Sequence, residues 1–166
     1  MVRSLKMCCV SPHAPILVPE VGGSELRKAS STSAAMDLLA GEIAAVDPDT
    51  IVLIYPPHLN PVSLKAFPVK NGKRFAGSWS SAHARFSFEA DVDRVLVDAI
   101  AEAARNARVE LFYDERSSEE DWGALVPLYL LATPRCSLVS ITALPYLSMD
   151  DHTRKAGPLV QLLLPV

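Results

Sequence analysis

The stretch Ile51-Val52-Leu53-Ile54-Tyr55-Pro56-Pro57-His58-Leu59-Asn60-Pro61 is an unbroken apolar run that stops at two prolines. A short run with no polar face predicts a strand buried on both sides, as in a parallel sheet. Immediately before it, Asp47-Pro48-Asp49 ends a helix whose apolar stripe is Met36, Leu39, Ala40, Ile43 and Val46. Ser24 is a candidate N-cap for that helical region. Residues 5–10 form another apolar run, again ending at a proline-rich turn. Strand, helix, strand in that order predicts a parallel unit with a right-handed crossover. Further along, residues 60–89 predict an excursion of short strands or loop, with Asn71-Gly72 as a hairpin-turn signal and the neighbouring Lys70 and Lys73 solvated. Asp91 is the expected cap of a second helix with a stripe of Val92, Leu96, Ala99, Ile100 and Ala103. Strands are expected at 109–113 and 136–141, with a short buried helix at 124–131 despite Pro127. The fold class is α/β, a central mostly parallel sheet with flanking helices.

Composition narrows the function. The 166 residues are 49% hydrophobic and 21% charged, which predicts one globular domain over 1–166 and excludes disorder, collagen-like repeats and coiled coils. Sixteen Lys+Arg against nineteen Asp+Glu leave a net charge of −3, with no basic surplus for nucleic acid. The uncharged stretches 122–134 and 136–149 are each too short for a bilayer span and are separated by Arg135. The run 7–10 is broken by Ser11-Pro12-His13, so no signal-peptide core follows. Three cysteines, two of them adjacent at Cys8 and Cys9, make no disulfide framework. The expectation is a reduced cytoplasmic protein.

One local pattern occurs twice. The first strand runs into Ser11-Pro12-His13-Ala14-Pro15, the second into Pro56-Pro57-His58-Leu59-Asn60-Pro61. In open parallel sheets ligands gather at the carboxyl ends of strands, so His13 and His58 are placed to converge. Flanking prolines restrict the backbone and fix each imidazole's direction. Two neutral imidazoles suit Fe, Zn, Cu or Ni, and a carboxylate beside them would complete the facial triad of a non-haem Fe(II) oxygenase. Zinc would favour hydrolysis by a bound water. The alternative is that each histidine caps a strand end through backbone hydrogen bonds. Two ligands of one ion lie within roughly 3–4 Å of each other, which separates these readings.

Three segments carry a resemblance. Ser11-Pro12-His13-Ala14-Pro15-Ile16-Leu17-Val18-Pro19-Glu20-Val21-Gly22-Gly23 resembles the N-terminal signature of class III extradiol ring-cleavage dioxygenases, closest to the LigB-like family of B-type subunits with its Memo-like branch. Pro48-Asp49-Thr50-Ile51-Val52-Leu53-Ile54 followed by Pro57-His58 is similar to that family's second strand and second metal histidine. Asp121-Trp122-Gly123-Ala124-Leu125-Val126-Pro127-Leu128-Tyr129 resembles its Asp-His-Gly-x-x-Val-Pro-Leu segment. The resemblance implies a phosphorylase/hydrolase-like α/β architecture and an Fe(II) site with His13 and His58 as ligands. The substrates implied are a small aromatic diol and dioxygen.

Two departures matter. Trp122 stands where the family has a histidine, and indole donates one N–H but neither accepts nor shuttles a proton. The family's carboxylate ligand and catalytic histidine belong to a C-terminal portion that this chain is expected to lack, leaving the sheet architecture incomplete at that end. Within the chain, Glu20 is the first candidate for a replacement carboxylate, then Asp121 and Glu120, with a solvated surface charge as the alternative for each. His152 receives no catalytic role, and His83 reads as a surface histidine. Cys8 and Cys9 are expected to pack in a strand, Tyr55 to be buried or to line a pocket, and Gly22-Gly23 to form a turn. The alternative to a dioxygenase is a non-catalytic Memo-like metal-binding or interaction module, or a degenerate partner subunit, in a homo-oligomer or a mixed assembly. Zn is the alternative metal.

Overall fold

The structure, a computed structural model, describes residues 4–58, 65–80, 84–116, 118–119, 121–133, 135–144 and 146–160. Residues 4–14 have no regular structure. A 3-10 turn (Pro15–Leu17) leads to the one-turn helix α1 (Pro19–Gly22), a 3-10 stretch (Gly23–Ala29) and the long helix α2 (Ser30–Val46). Proline opens each of the first two turns, where its missing N–H costs nothing. Asp47 ends α2 in the left-handed region at φ 47°, and its N–H reaches back to Ile43 and Ala44 carbonyls. The chain continues through β1 (Thr50–Tyr55), β2 (Phe67–Lys70), β3 (Arg74–Ser80), β4 (Arg85–Asp91) and α3 (Arg94–Asn106). Then come β5 (Leu111–Asp114), β6 (Ser118–Glu119), α4 (Trp122–Leu131), β7 (Ser137–Thr142) and α5 (Met149–Val160).

The strands form two sheets. The central one has the order β1-β7-β2-β5, with β1/β7 and β2/β5 parallel and β7/β2 antiparallel. The second has the order β4-β3-β6, built on the antiparallel β3/β4 pair. This is the expected α/β architecture, a mostly parallel central sheet flanked by helices. β7 lies inside the sheet, and its Leu138, Val139 and Ile141 are buried. α4 is apolar on every side and buried from Gly123 to Leu128, packed on β1, β3, β4 and α2. Pro127 inside it removes the donor that the Gly123 carbonyl would otherwise use. Among the described residues no helix is long and apolar enough to cross a membrane.

Several expectations are corrected. Residues 5–10 form no strand; Leu5 is 43% and Val10 96% exposed. A brief apolar run carries no periodicity of its own, and pairing depends on a neighbour; the neighbour of β1 is β7, which arrives much later in the chain. Cys8 and Cys9 are accordingly exposed rather than packed. Asn71-Gly72 joins strands of different sheets, so it makes no hairpin; the hairpin is β3/β4. Lys70 is buried and paired at 3.0 Å with Asp114, its register partner on β5. Burial works to raise the Asp114 pKa, but hydrogen bonds from Arg116 and Lys70 outweigh it and hold the carboxyl at about 2. Asp91 ends β4; Asp93 caps α3, its Oδ1 accepting from the Leu96 N–H at 2.9 Å. The buried stripe of α3 is therefore Val97, Ile100, Ala101 and Ala104.

Candidate metal centre

At the end of β1, Tyr55 is buried, and its carbonyl accepts from the Ala143 N–H at 2.8 Å. The strand is thus held against β7 up to its last residue. Pro56 and Pro57 then turn the chain, and His58 follows. Its backbone N–H donates to Asp121 Oδ2 at 2.6 Å, and its Nδ1 lies 3.2 Å from Asp121 Oδ1. The same Oδ1 accepts from the Gly123 N–H at 2.8 Å, capping α4. Asp121 is buried, at 4% exposure. A carboxylate only accepts, so His58 Nδ1 is the donor, and in the neutral ring the lone pair is then on Nε2.

That lone pair faces His13. The two Nε2 atoms are 3.1 Å apart, with ring centroids at 4.7 Å and planes tilted by 54°. His13 is delivered by the irregular segment ahead of Pro15. Burial and the adjacent His58 lower its pKa, against a smaller opposing effect of Asp121. The shift favours the neutral imidazole, the form that binds metals. Trp122 covers His58 at 5.0 Å between rings. Gly123 makes this approach possible: a Cβ there would sit 2.7 Å from the Pro56 carbonyl oxygen and 2.9 Å from His58 Nδ1.

The chain therefore brings together His13, His58, Asp121 and Trp122. It does not bring Glu20, which is held elsewhere: the Tyr129 hydroxyl donates to its Oε1 at 2.9 Å. Glu120 and His83 lie outside the described residues. His152 is engaged by backbone, its Nε2 accepting from the Leu144 N–H at 3.2 Å while its Nδ1 lies 3.2 Å from the Ser148 carbonyl oxygen. Gly22-Gly23 is a turn, with Gly22 packed on the Ile16 carbonyl and Gly23 at φ 47°. Sequence reasoning missed the support that Asp121 gives His58, and it missed Gly123. An Asp-x-Gly ahead of an apolar helix was the available signal, a cap whose carboxylate has a second oxygen to spare.

Two imidazole nitrogens at this spacing, one of them backed by a buried carboxylate, fit two positions of a divalent metal such as Fe(II) or Zn. Among the described residues no group of three or more His, Cys, Asp or Glu closes around such an ion.

A family model described as the catalytic LigB subunit of aromatic ring-opening dioxygenase matches residues 7–158, a span that contains all four residues of the centre. Among curated proteins, the chain is similar to Protein CA_C1420 of Clostridium acetobutylicum, with 30% identity over 129 residues, 72% of this chain. The chain spans about a quarter of that relative's length, 27%.

Proposed function

We propose, because this chain belongs to the LigB family of aromatic ring-opening dioxygenase catalytic subunits, that it carries an extradiol-type centre for a catecholic diol, with Fe(II) held by His13 and His58. The observation that supports this is the 3.1 Å approach of the two Nε2 atoms. Fe(II), when bound, holds diol and dioxygen in one geometry and passes electron density between them.

The chain's own residues do the rest. His13 and His58 offer neutral imidazole nitrogens. Asp121 keeps the His58 proton on Nδ1. Trp122, beside His58, offers a flat apolar wall for an aromatic ring and one N–H for a hydroxyl oxygen. A further ligand completes the site in a LigB-type assembly working in a reducing cytoplasm.

The test is anaerobic loading with Fe(II). One ion per chain is expected in the wild type, and none in His13→Ala or His58→Ala. Equal metal content in all three would refute the reading. Zinc retained in place of iron would turn it toward hydrolysis.

Trp122 favours a second reading. With indole where the family has histidine, no side chain at that position moves a proton, and the centre becomes a Memo-like metal-binding or interaction module. Diol binding without oxygen consumption selects this reading; sustained oxygen uptake selects the first.

A further inference from the structure

We infer that Asp121 is the positioning residue of this centre: it fixes the tautomer and direction of the His58 imidazole, and through them the affinity for metal. The inference rests on the reading of His58 as a ligand.

Among the described residues, three contacts converge on one buried carboxylate. Oδ2 takes the His58 backbone N–H at 2.6 Å, and Oδ1 lies 2.8 Å from the Gly123 nitrogen and 3.2 Å from His58 Nδ1. The first contact holds the residue's backbone, the second fastens the carboxylate to the start of α4, and the third orients the ring. Both ring position and ring proton are therefore set from one rigid element. Position 123 is closed to a side chain by the same packing, and only a glycine there lets α4 start this close to the ring. With the proton on Nδ1 of the neutral ring, the lone pair is on Nε2, the atom that faces His13 Nε2 at 3.1 Å and accepts from it until a metal takes its place. A hydrogen bond from a ligand histidine to a carboxylate also raises the ligand's basicity, and its loss typically costs 10–100-fold in metal affinity.

The competing explanation is that Asp121 only caps α4. Asp121→Ser separates the two roles, because serine caps a helix as well as aspartate does but offers no second acceptor to the His58 backbone and ring. The readout is the His58 tautomer in metal-free protein, from long-range proton–nitrogen-15 NMR correlations, alongside zinc titration. The wild type is expected to hold His58 as the Nδ1–H tautomer. In Asp121→Ser, with the circular dichroism spectrum retained, the preference disappears and zinc affinity falls roughly 10–100-fold. A wild-type His58 in the Nε2–H form overturns the inference, as does an unchanged tautomer and affinity in folded Asp121→Ser. If that variant unfolds, Asp121→Asn is measured instead. Asparagine also caps, but with its oxygen on Gly123 and the ring its amide nitrogen meets the His58 backbone N–H, and turned over it meets the ring nitrogen, so the hold on His58 is broken and zinc affinity is again expected to fall. Should the wild type bind no metal, the ligand reading fails, while the tautomer comparison still decides the role of Asp121.

Discussion

At position 123 an added methyl group would meet the Pro56 carbonyl oxygen, His58 Nδ1 and Asp121 Oδ1, all within 3.0 Å. Two of these atoms belong to the turn that carries His58, so the strain lands on the centre itself. Gly123→Ala is expected to lower stability by about 1–3 kcal/mol and to weaken metal binding together with it, as read by thermal unfolding and zinc titration. A melting temperature and affinity equal to wild type would contradict the packing described. Trp122 supplies an optical reporter, since its ring lies 5.0 Å from that of His58. Cu(II) bound at the pair should quench tryptophan emission more strongly in Trp79→Phe than in Trp122→Phe. Trp122→His places a proton-accepting group beside His58 once more. If lost proton transfer is what limits turnover, this variant should consume oxygen with a catechol about 100-fold faster or more, and an oxygen electrode decides the matter.

Among the elements, β7 and α4 are buried along most of their length. Leu138 is 1% exposed, in the strand between β1 and β2. Leu138→Ala should cost about 2–5 kcal/mol in denaturant unfolding, whereas Val95→Ala, on the exposed side of α3, should cost far less. Runs of apolar residues were legible as elements: β7 and α4 are buried along most of their length, whereas β1 forms as a strand but lies at the sheet edge, with Ile54 59% exposed instead of buried on both sides. Elements whose fate depends on a distant partner were not. The apolar run at 5–10 reads like β1 yet stays unpaired, and Lys70 reads as surface until Asp114 of β5 is placed beside it. The centre divides in the same way. His13 and His58 stand out because prolines bracket both. The support from Asp121 joins positions 63 residues apart, and no local pattern in either segment announces it.

For the molecule as a whole, acid stability is expected to report on the buried Lys70–Asp114 pair and the exposed Arg116 beside it. The folded Asp114 pKa, about 2, lies below its ordinary 3.8, so this carboxylate stabilises the fold fully above about pH 4. As pH falls from about 4 to about 2 the contribution, about 2 kcal/mol, is lost. Urea unfolding across that range should show the loss in the wild type and a flatter profile in Asp114→Asn, which begins from a lower stability because Lys70 is left buried without its counter-charge. Such a variant should leave zinc affinity at neutral pH unchanged, since among the described residues the cluster shares no hydrogen bond with the histidine pair. The order of the central sheet has one more consequence. Its inner strand β7 is also the last of the four to be synthesised, so a chain still emerging from the ribosome holds β1 and β2 with no means of joining them. His13, His58 and Asp121 all precede that strand, but the sheet that fixes the end of β1 closes only once synthesis has passed Thr142.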